Sequence, residues 1–431
     1  MNVYDSHRMA MMLEQEGYTK ADSQEQADLV LFNTCHIREK AAEKLFSDLG
    51  RALMIKNERE ENGLHTVIGV AGCVVQAEDT EILRRAPYVD FALGPLTYHR
   101  LPQILKDIAL KKREHVVDTE FPAESKFDFL PENKALGGCS FLAIQEGCNN
   151  FCTYCVVPYT RGVEYSRPVQ DVLDEAKRLV QTGTLEINLL GQNVNSYHGE
   201  DSNGKERNLA YLLSKMAEID GLKRLRYTTS YPADMTDELI SCHKNINILM
   251  PYLHLPLQSG SNKILKLMNR RHTAETYMEI VQKLKAANPM IEMSSDFIVG
   301  FPGETDEDFV QTLMFAQKIG YIQAFSFKYS RRPGTPAATM ENQVPEKVKK
   351  ERLDILQNKL FEMQNRFNLS CVGKTFDVLF EQFGRHKGQL IGRTPYMQNV
   401  HAKTEIGAMG QIRKVQILSA TTNSLEGKVV L

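Results

Sequence analysis

Short apolar runs alternate with amphipathic stretches from the start of the chain to about residue 125. The apolar runs lie at residues 28–35, 65–73 and 89–95 and are rich in Val, Ile and Leu. Strands of this kind between helical patterns are typical of a parallel sheet covered by helices on both faces. We therefore predict an α/β domain with an open parallel sheet over residues 1–125. The series opens on a helix where a strand should come first, so we expect a few residues of the natural chain to precede Met1.

Residues 126–137 are polar, contain Pro and Gly, and are predicted to form a linker. A second alternating series follows, with about six strand-like segments separated by helical patterns. This series predicts a parallel α/β barrel, complete or partial, over residues 138–368. Barrels of this class carry their active sites at the carboxyl ends of their strands, so functional residues are expected in the loops that follow the strands.

The last part of the chain contains short alternating strands with Gly-rich turns, after a long charged helix at residues 345–370. This pattern predicts a small β-barrel over residues 369–431. From Val372 onward eight lysines and arginines stand against four acidic residues, whereas the whole chain has a formal net charge of −2. A small basic domain on an acidic body indicates binding of a polyanion; the alternative is an ordinary solvated surface. The candidate RNA contacts are Lys374, Arg385, Lys387, Arg393, Lys403, Arg413 and Lys414.

Length and composition set broader limits. The 431 residues, 42% of them hydrophobic, suffice for two or three domains with full cores. Eight cysteines in such a chain fit a reducing compartment better than a disulfide framework. No apolar run reaches membrane-spanning length, and the N-terminus lacks the charged-then-apolar pattern of a signal peptide. We predict a cytoplasmic monomer without a membrane partner.

Three cysteines, Cys148, Cys152 and Cys155, stand close together in the run EGCNNFCTYCVVPYTRG. Three thiolates without a fourth nearby suit an iron–sulfur cluster in which one iron has no protein ligand and can bind a reactant. Structural zinc is the main alternative, but it requires four ligands, and no second cysteine or histidine pair follows at zinc-finger spacing. Buried free thiols are the remaining alternative.

Two further cysteines, Cys35 and Cys73, end predicted strands of the first domain and directly precede helices. Both should lie at the carboxyl edge of the sheet, where open parallel sheets bind ligands. We expect them to be ligands of a second cluster. Two ligands are too few for a cubane cluster, so we expect a third cysteine on the loop before Met1. The alternative is two buried free cysteines.

The spacing of the three-cysteine motif, with Tyr154 before its last cysteine, resembles the radical S-adenosylmethionine (SAM) superfamily. The resemblance implies that SAM binds the open iron of a [4Fe–4S] cluster and is cleaved by one electron to a 5′-deoxyadenosyl radical. Other candidate contacts of SAM end central strands or lie in the motif DFIVGFPGETDEDF, for which plain tight turns are the alternative. Arg270 or Arg271 is expected to pair with the SAM carboxylate as a planar bidentate donor, and a surface ion pair is the alternative. The candidates are Tyr154, Gln192, Asn193, Gln258, Ser259, Arg270, Arg271, Asp296, Gly300 and Gly303.

A closer resemblance covers the whole chain in order. The segments MNVYDS, NTCHIREKAAEK, GVAGCVVQAE, LLGQNVNSYHG and PLQSGSNKILKLMNRRHT resemble the radical-SAM methylthiotransferases, and the last domain resembles the TRAM domain. LLGQNVNSY together with MNVYDS is most similar to the branch that adds a methylthio group to carbon 2 of N6-dimethylallyladenosine (isopentenyl-adenosine) in tRNA. The resemblance implies a second [4Fe–4S] cluster as the sulfur source, a tRNA anticodon stem-loop as substrate, an electron donor of the flavodoxin or ferredoxin type, and a sulfur or iron–sulfur carrier.

Other functions compete with this interpretation. A related methylthiotransferase would act on threonylcarbamoyl-adenosine in tRNA or on a ribosomal protein. A non-catalytic iron–sulfur protein that binds RNA would need neither an open iron nor the glycine segment around Gly300 and Gly303.

Overall fold

The structure, a computed structural model, describes residues 1–36, 39–112, 115–135 and 137–430. It divides into two compact units, each made of several stretches of chain. The first unit comprises Met1–Asn133, Gly147–Asn149 and Val156–Glu164. The second comprises Lys134–Glu146, Asn150–Cys155 and Tyr165–Leu431. No helix within the described ranges is long and apolar enough to cross a membrane.

The first unit contains the predicted parallel sheet, and its strands follow one another in chain order. The strands are β1 (Leu29–Asn33), β2 (Val67–Ala71), β3 (Phe91–Leu93) and β4 (Val116–Asp118). The helices are α1 (Asn2–Gln15), α2 (Glu39–Glu61), α3 (Cys73–Glu78), α4 (Glu81–Arg85), α5 (Leu101–Ala109) and α6 (Val157–Arg161). The sequence pattern missed β4, because three half-buried residues are too short to show an alternation.

Both faces of this sheet are buried, which explains the apolar strands. On one face Leu45 and Leu49 of α2 pack with Ile68 and Val70 of β2. On the other face side chains of α1 and α5 pack with Phe91 of β3. Because each strand is covered on both sides, nearly every strand position is apolar, and only the strand ends carry chemically active residues.

The second unit contains the six strands predicted for the barrel. They are β5 (Cys139–Ala143), β8 (Glu186–Leu190), β11 (Arg224–Tyr227), β12 (Tyr252–His254), β13 (Glu292–Val299) and β14 (Gln323–Lys328). They form two parallel sheets, β11-β8-β5 and β12-β13-β14, and a parallel bridge from Leu225 to Leu249 continues the series. The barrel is therefore partial, one of the two predicted forms. Its helices are α7 (Val169–Gln181), α8 (Leu209–Met216), α9 (Asp237–Asn245), α10 (Asn262–Leu267), α11 (Ala274–Ala287), α12 (Asp306–Ile319), α13 (Pro336–Thr339) and α14 (Glu346–Ser370).

Two short antiparallel pairs interrupt this series and were not predicted. They are β6 (Gln145–Glu146) with β7 (Tyr165–Ser166), and β9 (His198–Glu200) with β10 (Glu206–Asn208). The first pair brackets the loop that carries the three clustered cysteines. Pairs of two or three residues have too little alternation to be predicted from a sequence.

The predicted C-terminal β-barrel is confirmed as a closed barrel in the order β15-β16-β17-β19-β18. Its strands are β15 (Thr375–Phe383), β16 (Gln389–Arg393), β17 (Asn399–Lys403), β18 (Ile412–Ala420) and β19 (Leu425–Val429). Alternate residues such as Val378, Phe380, Val400 and Val415 fill its interior. Closure leaves no unpaired strand edge, so the outer surface is available for a ligand.

A buried carboxylate, Glu186 at the start of β8, joins this barrel to the parallel sheet. Its two oxygens lie 2.8 Å from Arg226 Nε and 3.3 Å from Arg224 Nη1. The remaining guanidinium N–H groups donate to backbone carbonyls of the barrel, including Pro395 at 2.8 Å from Arg226 and Arg393 at 3.2 Å from Arg224. Burial raises the pKa of Glu186, but the two arginines more than offset this, so its pKa lies below the ordinary value.

We expect Glu186→Gln to lower the free energy of unfolding of the second unit by about 3–5 kcal/mol, because it leaves two buried guanidiniums without a counter-charge. Glu218→Gln is the matched control, since Glu218 pairs with Lys215 at 2.8 Å on the exposed surface. That change should leave the urea midpoint nearly unchanged, because solvent screens an exposed ion pair. Urea titration followed by circular dichroism measures both. Equal midpoints for the two variants would contradict the role given to Glu186.

Candidate metal and cofactor site

The three clustered cysteines follow the carboxyl end of β5, the edge where the barrel was predicted to carry its site. Cys148 belongs to the first unit, where its amide donates to the Gly162 carbonyl at 3.3 Å. Cys152 and Cys155 belong to the second unit. Cys152 is buried, and Cys148 and Cys155 are half-buried. These exposures suit thiolates that bind a metal cluster near a surface.

The segment after α10 holds the cysteine loop in the second unit. The amide of Thr153 donates to the Met268 carbonyl at 3.1 Å, and its hydroxyl donates to the Leu267 carbonyl at 2.9 Å. The side-chain amide of Asn269 donates to the carbonyl of Phe151 at 3.0 Å. Asn269 and Phe151 both have left-handed backbones, with φ of 56° and 45°. Sequence reasoning missed Thr153 and Asn269, although Asn269 stands directly before the two arginines that it singled out.

The side chain of Tyr154 packs into a small apolar cluster. Its ring meets Phe301 edge-on with centroids 6.4 Å apart, and it packs against a core that includes Met268 and Tyr329. Burial raises the pKa of Tyr154 well above its ordinary value, so the phenol stays neutral. The structure thus gives Tyr154 a packing role beneath the loop, and contact with SAM stays a prediction.

Arg270 lies directly against the cysteine loop. Its Nη1 donates to Cys152 Sγ at 3.6 Å, and its Nη2 donates to the Pro256 carbonyl at 2.8 Å. Its guanidinium carbon lies 4.1 Å from the centroid of the Tyr231 ring. The Nε of Arg270 is shielded from solvent and has no hydrogen-bond partner in the part of the chain that the structure describes. A cation with an unused donor beside a cysteine loop fits an anionic iron–sulfur cluster as the missing partner.

Arg271 points to a different set of groups. Its Nη2 lies 2.8 Å from Asp234 Oδ1 and 2.9 Å from Asn150 Oδ1, and its side chain is 58% exposed. The Asn193 side chain donates to the other oxygen of Asp234 at 2.7 Å. Asn193 is buried, and its Oδ1 has no partner among the described residues. Asp234 therefore bonds to two predicted SAM contacts, Asn193 and Arg271. Sequence reasoning missed Asp234 because an Asp in a loop has no distinctive pattern.

Gln258 lies beyond the end of β12, beside Asp296 within the neighbouring strand β13. Gln258 has a left-handed backbone, with φ of 74°, and its buried Oε1 has no partner within the described ranges. Strained backbone and an unpaired buried acceptor are features of binding sites. Asp296 Oδ2 lies 3.5 Å from His254 Nε2. Ser259 uses its hydroxyl internally, 3.2 Å from Thr312 Oγ1, and half-buried Gln192 follows the end of β8.

The glycines of the segment after β13 are required by its geometry. Gly300 and Gly303 have φ of 68° and 82°. A Cβ on Gly300 would overlap the Lys349 side chain close to its backbone. The amide of Gly300 donates to Glu304 Oε1 at 2.8 Å, and Glu304 pairs with Arg352 at 2.7 Å. The segment is therefore a fixed turn at the carboxyl edge, which the predicted SAM contact requires.

In the first unit, Cys35 and Cys73 lie at the same sheet edge, as predicted. β1 and β2 pair in register up to Asn33 and Ala71, and each cysteine follows two residues later. The Asn33 side chain donates to Ser6 Oγ at 2.9 Å, which fixes the first turn of α1 at this edge. The Met1 amine interacts electrostatically with Cys35, so the start of α1 lies beside it.

A buried ion network supports this edge. Asp5 of α1 lies 2.8 Å from Arg161 Nη2 and 3.6 Å from Lys126 Nζ, and all three residues are buried. Burial raises the pKa of Asp5, and the two cations lower it further than burial raises it. Arg161 ends α6, which packs against α3, the helix that begins at Cys73.

No group of three or more His, Cys, Asp or Glu side chains among the described residues is arranged around a single ion. The cysteines of a cubane cluster bind different irons, so their sulfurs do not converge on one point. The assignment of these five cysteines as cluster ligands stays a prediction.

The basic residues of the C-terminal barrel gather around one turn and its paired strands. Arg385 and Lys387 lie in the turn between β15 and β16, Gln389 pairs with Lys403, and Lys403 pairs with Lys428. We call Arg385, Lys387, Lys403 and Lys428 the basic patch; all four are exposed. Sequence reasoning missed Lys428, and the 66% exposed ring of Phe383 beside the turn, because neither has a pattern of its own.

The other predicted RNA contacts differ in accessibility. Lys374, Arg413 and Lys414 are exposed, and Lys414 lies 3.5 Å from Asp377. Arg393 is half-buried, and its guanidinium pairs with Glu381 at 3.2 Å. The guanidinium of Arg393 is therefore less accessible to a phosphate than the side chains of the basic patch are.

We expect Gly300→Ala to lower the urea midpoint of the protein more than Gly204→Ala. Both glycines have similar φ, 68° and 73°, so both substitutions carry the left-handed backbone cost of about 1–2 kcal/mol. Only the Cβ added at Gly300 would also overlap a neighbouring side chain, since nothing lies within 4 Å of a Cβ on Gly204. SAM affinity, measured by calorimetry, should fall for Gly300→Ala alone. Equal effects would show that the turn tolerates a side chain.

Family models match all three parts of the chain. Residues 142–316 match the radical SAM superfamily, residues 369–430 match the TRAM domain, and residues 1–94 match a group described as uncharacterized protein family UPF0004. Among solved structures, the radical SAM methyltransferase TsrM from Kitasatospora setae has a TM-score of 0.57 and 14% identity over 78% of this chain and 74% of its own. The apo form of the cobalamin-dependent radical enzyme OxsB has a TM-score of 0.52 and 13% identity over 83% of this chain and 54% of its own. These likenesses establish the fold.

A curated relative gives a much closer match. The tRNA-2-methylthio-N(6)-dimethylallyladenosine synthase of Agrobacterium fabrum (strain C58) is 55% identical over 434 residues, covering 100% of this chain and 95% of the relative. The chain therefore belongs to the tRNA-2-methylthio-N(6)-dimethylallyladenosine synthase family of radical SAM methylthiotransferases.

Proposed function

We propose that this protein adds a methylthio group to carbon 2 of N6-dimethylallyladenosine in tRNA. The observation that carries the proposal is the full-length, 55% identical relative that is named for this product. The arrangement of the chain supports it, since a three-cysteine loop, a sheet edge with two more cysteines and a basic barrel are the parts that such a reaction needs.

The radical SAM match implies SAM and one [4Fe–4S] cluster, and Cys148, Cys152 and Cys155 would hold that cluster. When bound, the cluster supplies the electron that cleaves SAM to a 5′-deoxyadenosyl radical. The residues around it bind and orient. The unpaired Oε1 of Gln258 and Oδ1 of Asn193 are acceptors suited to the SAM amine, and the Gly300 turn lets the backbone approach the adenine.

The second cluster, at Cys35 and Cys73, is the proposed source of sulfur. The supporting observation is their shared position at one sheet edge, with the start of α1 beside Cys35. Two cysteines are too few for a cubane cluster, so a further ligand would complete the set. An iron–sulfur carrier would rebuild this cluster, and a flavodoxin or ferredoxin would supply electrons.

The target adenine must leave its stack to reach a radical, and an anticodon loop already presents unstacked bases. The basic patch would bind phosphates of the stem, and exposed Phe383 offers a face for stacking.

We expect Cys152→Ala to abolish SAM cleavage, because it removes a ligand of the open-iron cluster. Cys73→Ala should keep cleavage and lose the methylthio product, since it damages only the sulfur source. Cys242→Ala is the control, because Cys242 lies in the barrel core with its Sγ 3.7 Å from the Ala210 carbonyl. The measurements are 5′-deoxyadenosine formation and mass spectrometry of tRNA nucleosides from cells lacking the gene and complemented with each variant.

Two results would contradict this scheme. Equal loss of cleavage in Cys152→Ala and Cys73→Ala would exclude separate roles for the two clusters. Restoration of a methylthiolated threonylcarbamoyl-adenosine or a modified ribosomal protein, with no change in dimethylallyladenosine, would assign the enzyme to another branch.

We expect glutamine substitution of the four residues of the basic patch to weaken tRNA binding and flatten its salt dependence. Each lost phosphate contact should lower the slope of log affinity against log salt by roughly 0.9 for duplex or 0.7 for single-stranded nucleic acid. The control carries glutamine at four exposed lysines of the second unit, Lys177, Lys244, Lys283 and Lys318, and so loses the same charge. The measurement is tRNA affinity at several salt concentrations. Identical slopes for both variants would show that the basic patch makes no phosphate contacts.

A further inference from the structure

We infer that Arg270 raises the reduction potential of the iron–sulfur cluster held by Cys148, Cys152 and Cys155. The inference rests on the proposed cluster but goes beyond the proposed reaction. It assigns Arg270 a positioning and charge role in the chain's own structure, through a contact to a cluster ligand.

The contact is direct and fixed at both ends of the guanidinium. Nη1 donates to Cys152 Sγ at 3.6 Å, and Nη2 donates to the Pro256 carbonyl at 2.8 Å. A guanidinium bonded through both of its Nη atoms is held in one orientation at the cysteine loop. Its Nε–H remains an unused donor among the described residues.

The aromatic face beneath the guanidinium is equally well held. Tyr231 is buried, with the Arg270 guanidinium carbon 4.1 Å from its ring centroid. The Tyr231 backbone exchanges two hydrogen bonds with Asn195, at 2.7 and 2.8 Å, and its hydroxyl accepts from the Arg271 amide at 2.8 Å. A cation stacked on such a ring is stabilised in place without losing its charge.

Charge balance points to the cluster. No carboxylate of a described residue lies within 4.0 Å of the Arg270 guanidinium, whereas Arg352 pairs with Glu304 at 2.7 Å and Arg161 pairs with Asp5 at 2.8 Å. Arginine stays protonated in proteins, so the charge of Arg270 is available to an anionic group at this loop. An iron–sulfur cluster with three thiolate ligands is anionic and would lie next to Cys152.

This position determines a redox effect. Reduction adds one electron, and hence one negative charge, to the cluster. A nearby cation and an N–H···S hydrogen bond stabilise the reduced form more than the oxidised form, which raises the potential. The electron donor then needs less driving force. Removal of Arg270 should make the same cluster harder to reduce.

The test is a redox titration of the full-length protein with a reconstituted cluster, with dithionite as electron source and electron paramagnetic resonance as readout. The protein carries Cys35→Ala and Cys73→Ala, so that the signal comes from the three-cysteine cluster alone. We expect Arg270→Met to disfavour reduction at least tenfold, which equals a fall of about 59 mV for one electron. Arg270→Lys keeps the charge but loses the planar guanidinium. Its reduction potential should lie between those of the unchanged protein and Arg270→Met.

Arg271→Met is the matched control. It removes the same charge one residue away, but Arg271 is exposed and already neutralised by Asp234 at 2.8 Å. Its potential should change less than that of Arg270→Met. If Arg270→Met fails to hold a cluster, the comparison of Arg270→Lys with Arg271→Lys decides the question, and an unshifted Arg270→Lys would overturn the inference.

An intact cluster in Arg270→Met with the potential of the unchanged protein would equally overturn it. This outcome is separable from the proposed function, because the titration needs neither tRNA nor turnover. A shifted potential in a protein that makes no methylthio product would refute the proposed function and leave the role of Arg270 standing.

Discussion

The second unit depends on the neutralisation of Glu186 by two arginines of the adjacent strand. Glu186, Arg224 and Arg226 are all at most 3% exposed, so each charge would be costly without the others. The arginines satisfy Glu186 and also donate to backbone carbonyls at residues 377 and 393–395 of the β-barrel. The barrel is therefore bonded to the amino-terminal part of β8 and β11, and its charged surface is not carried on a loose appendage.

This attachment places the bonded part of the β-barrel away from the cysteine loop along the strands. The cysteine loop leaves the carboxyl end of β5, and the β-barrel attaches near the amino ends of the neighbouring strands. A five-residue strand spans about 17 Å, so the arginine anchor and the start of the cysteine loop lie at opposite ends of the same strands. Truncation of the barrel would expose both arginines and disturb the sheet, so substitutions of its surface charges probe RNA binding more cleanly.

The sequence predicted those features that depend on local patterns. Apolar runs predicted the parallel strands, and the motif spacing placed Cys148, Cys152 and Cys155 after the first barrel strand. Cys35 and Cys73 reached one edge because parallel strands in register must end together. The partners of charged side chains could not be predicted in this way. Arg270 meets Cys152 across 118 residues of chain, and Arg393 pairs with Glu381 across a strand pair, so the fold determines the partner that each charge finds.

The buried charges discussed above divide into two kinds, according to whether the fold supplies an opposite charge. Asp5 and Glu186 each lie among cations of their own unit, and their pKa values lie below the ordinary range although burial acts in the opposite direction. These networks are complete, and they stabilise an architecture. Arg270 has a sulfur, a carbonyl and an aromatic face but no carboxylate among the described residues. Among the described residues, this arrangement is the one that the anionic cluster proposed beside Cys152 would complete.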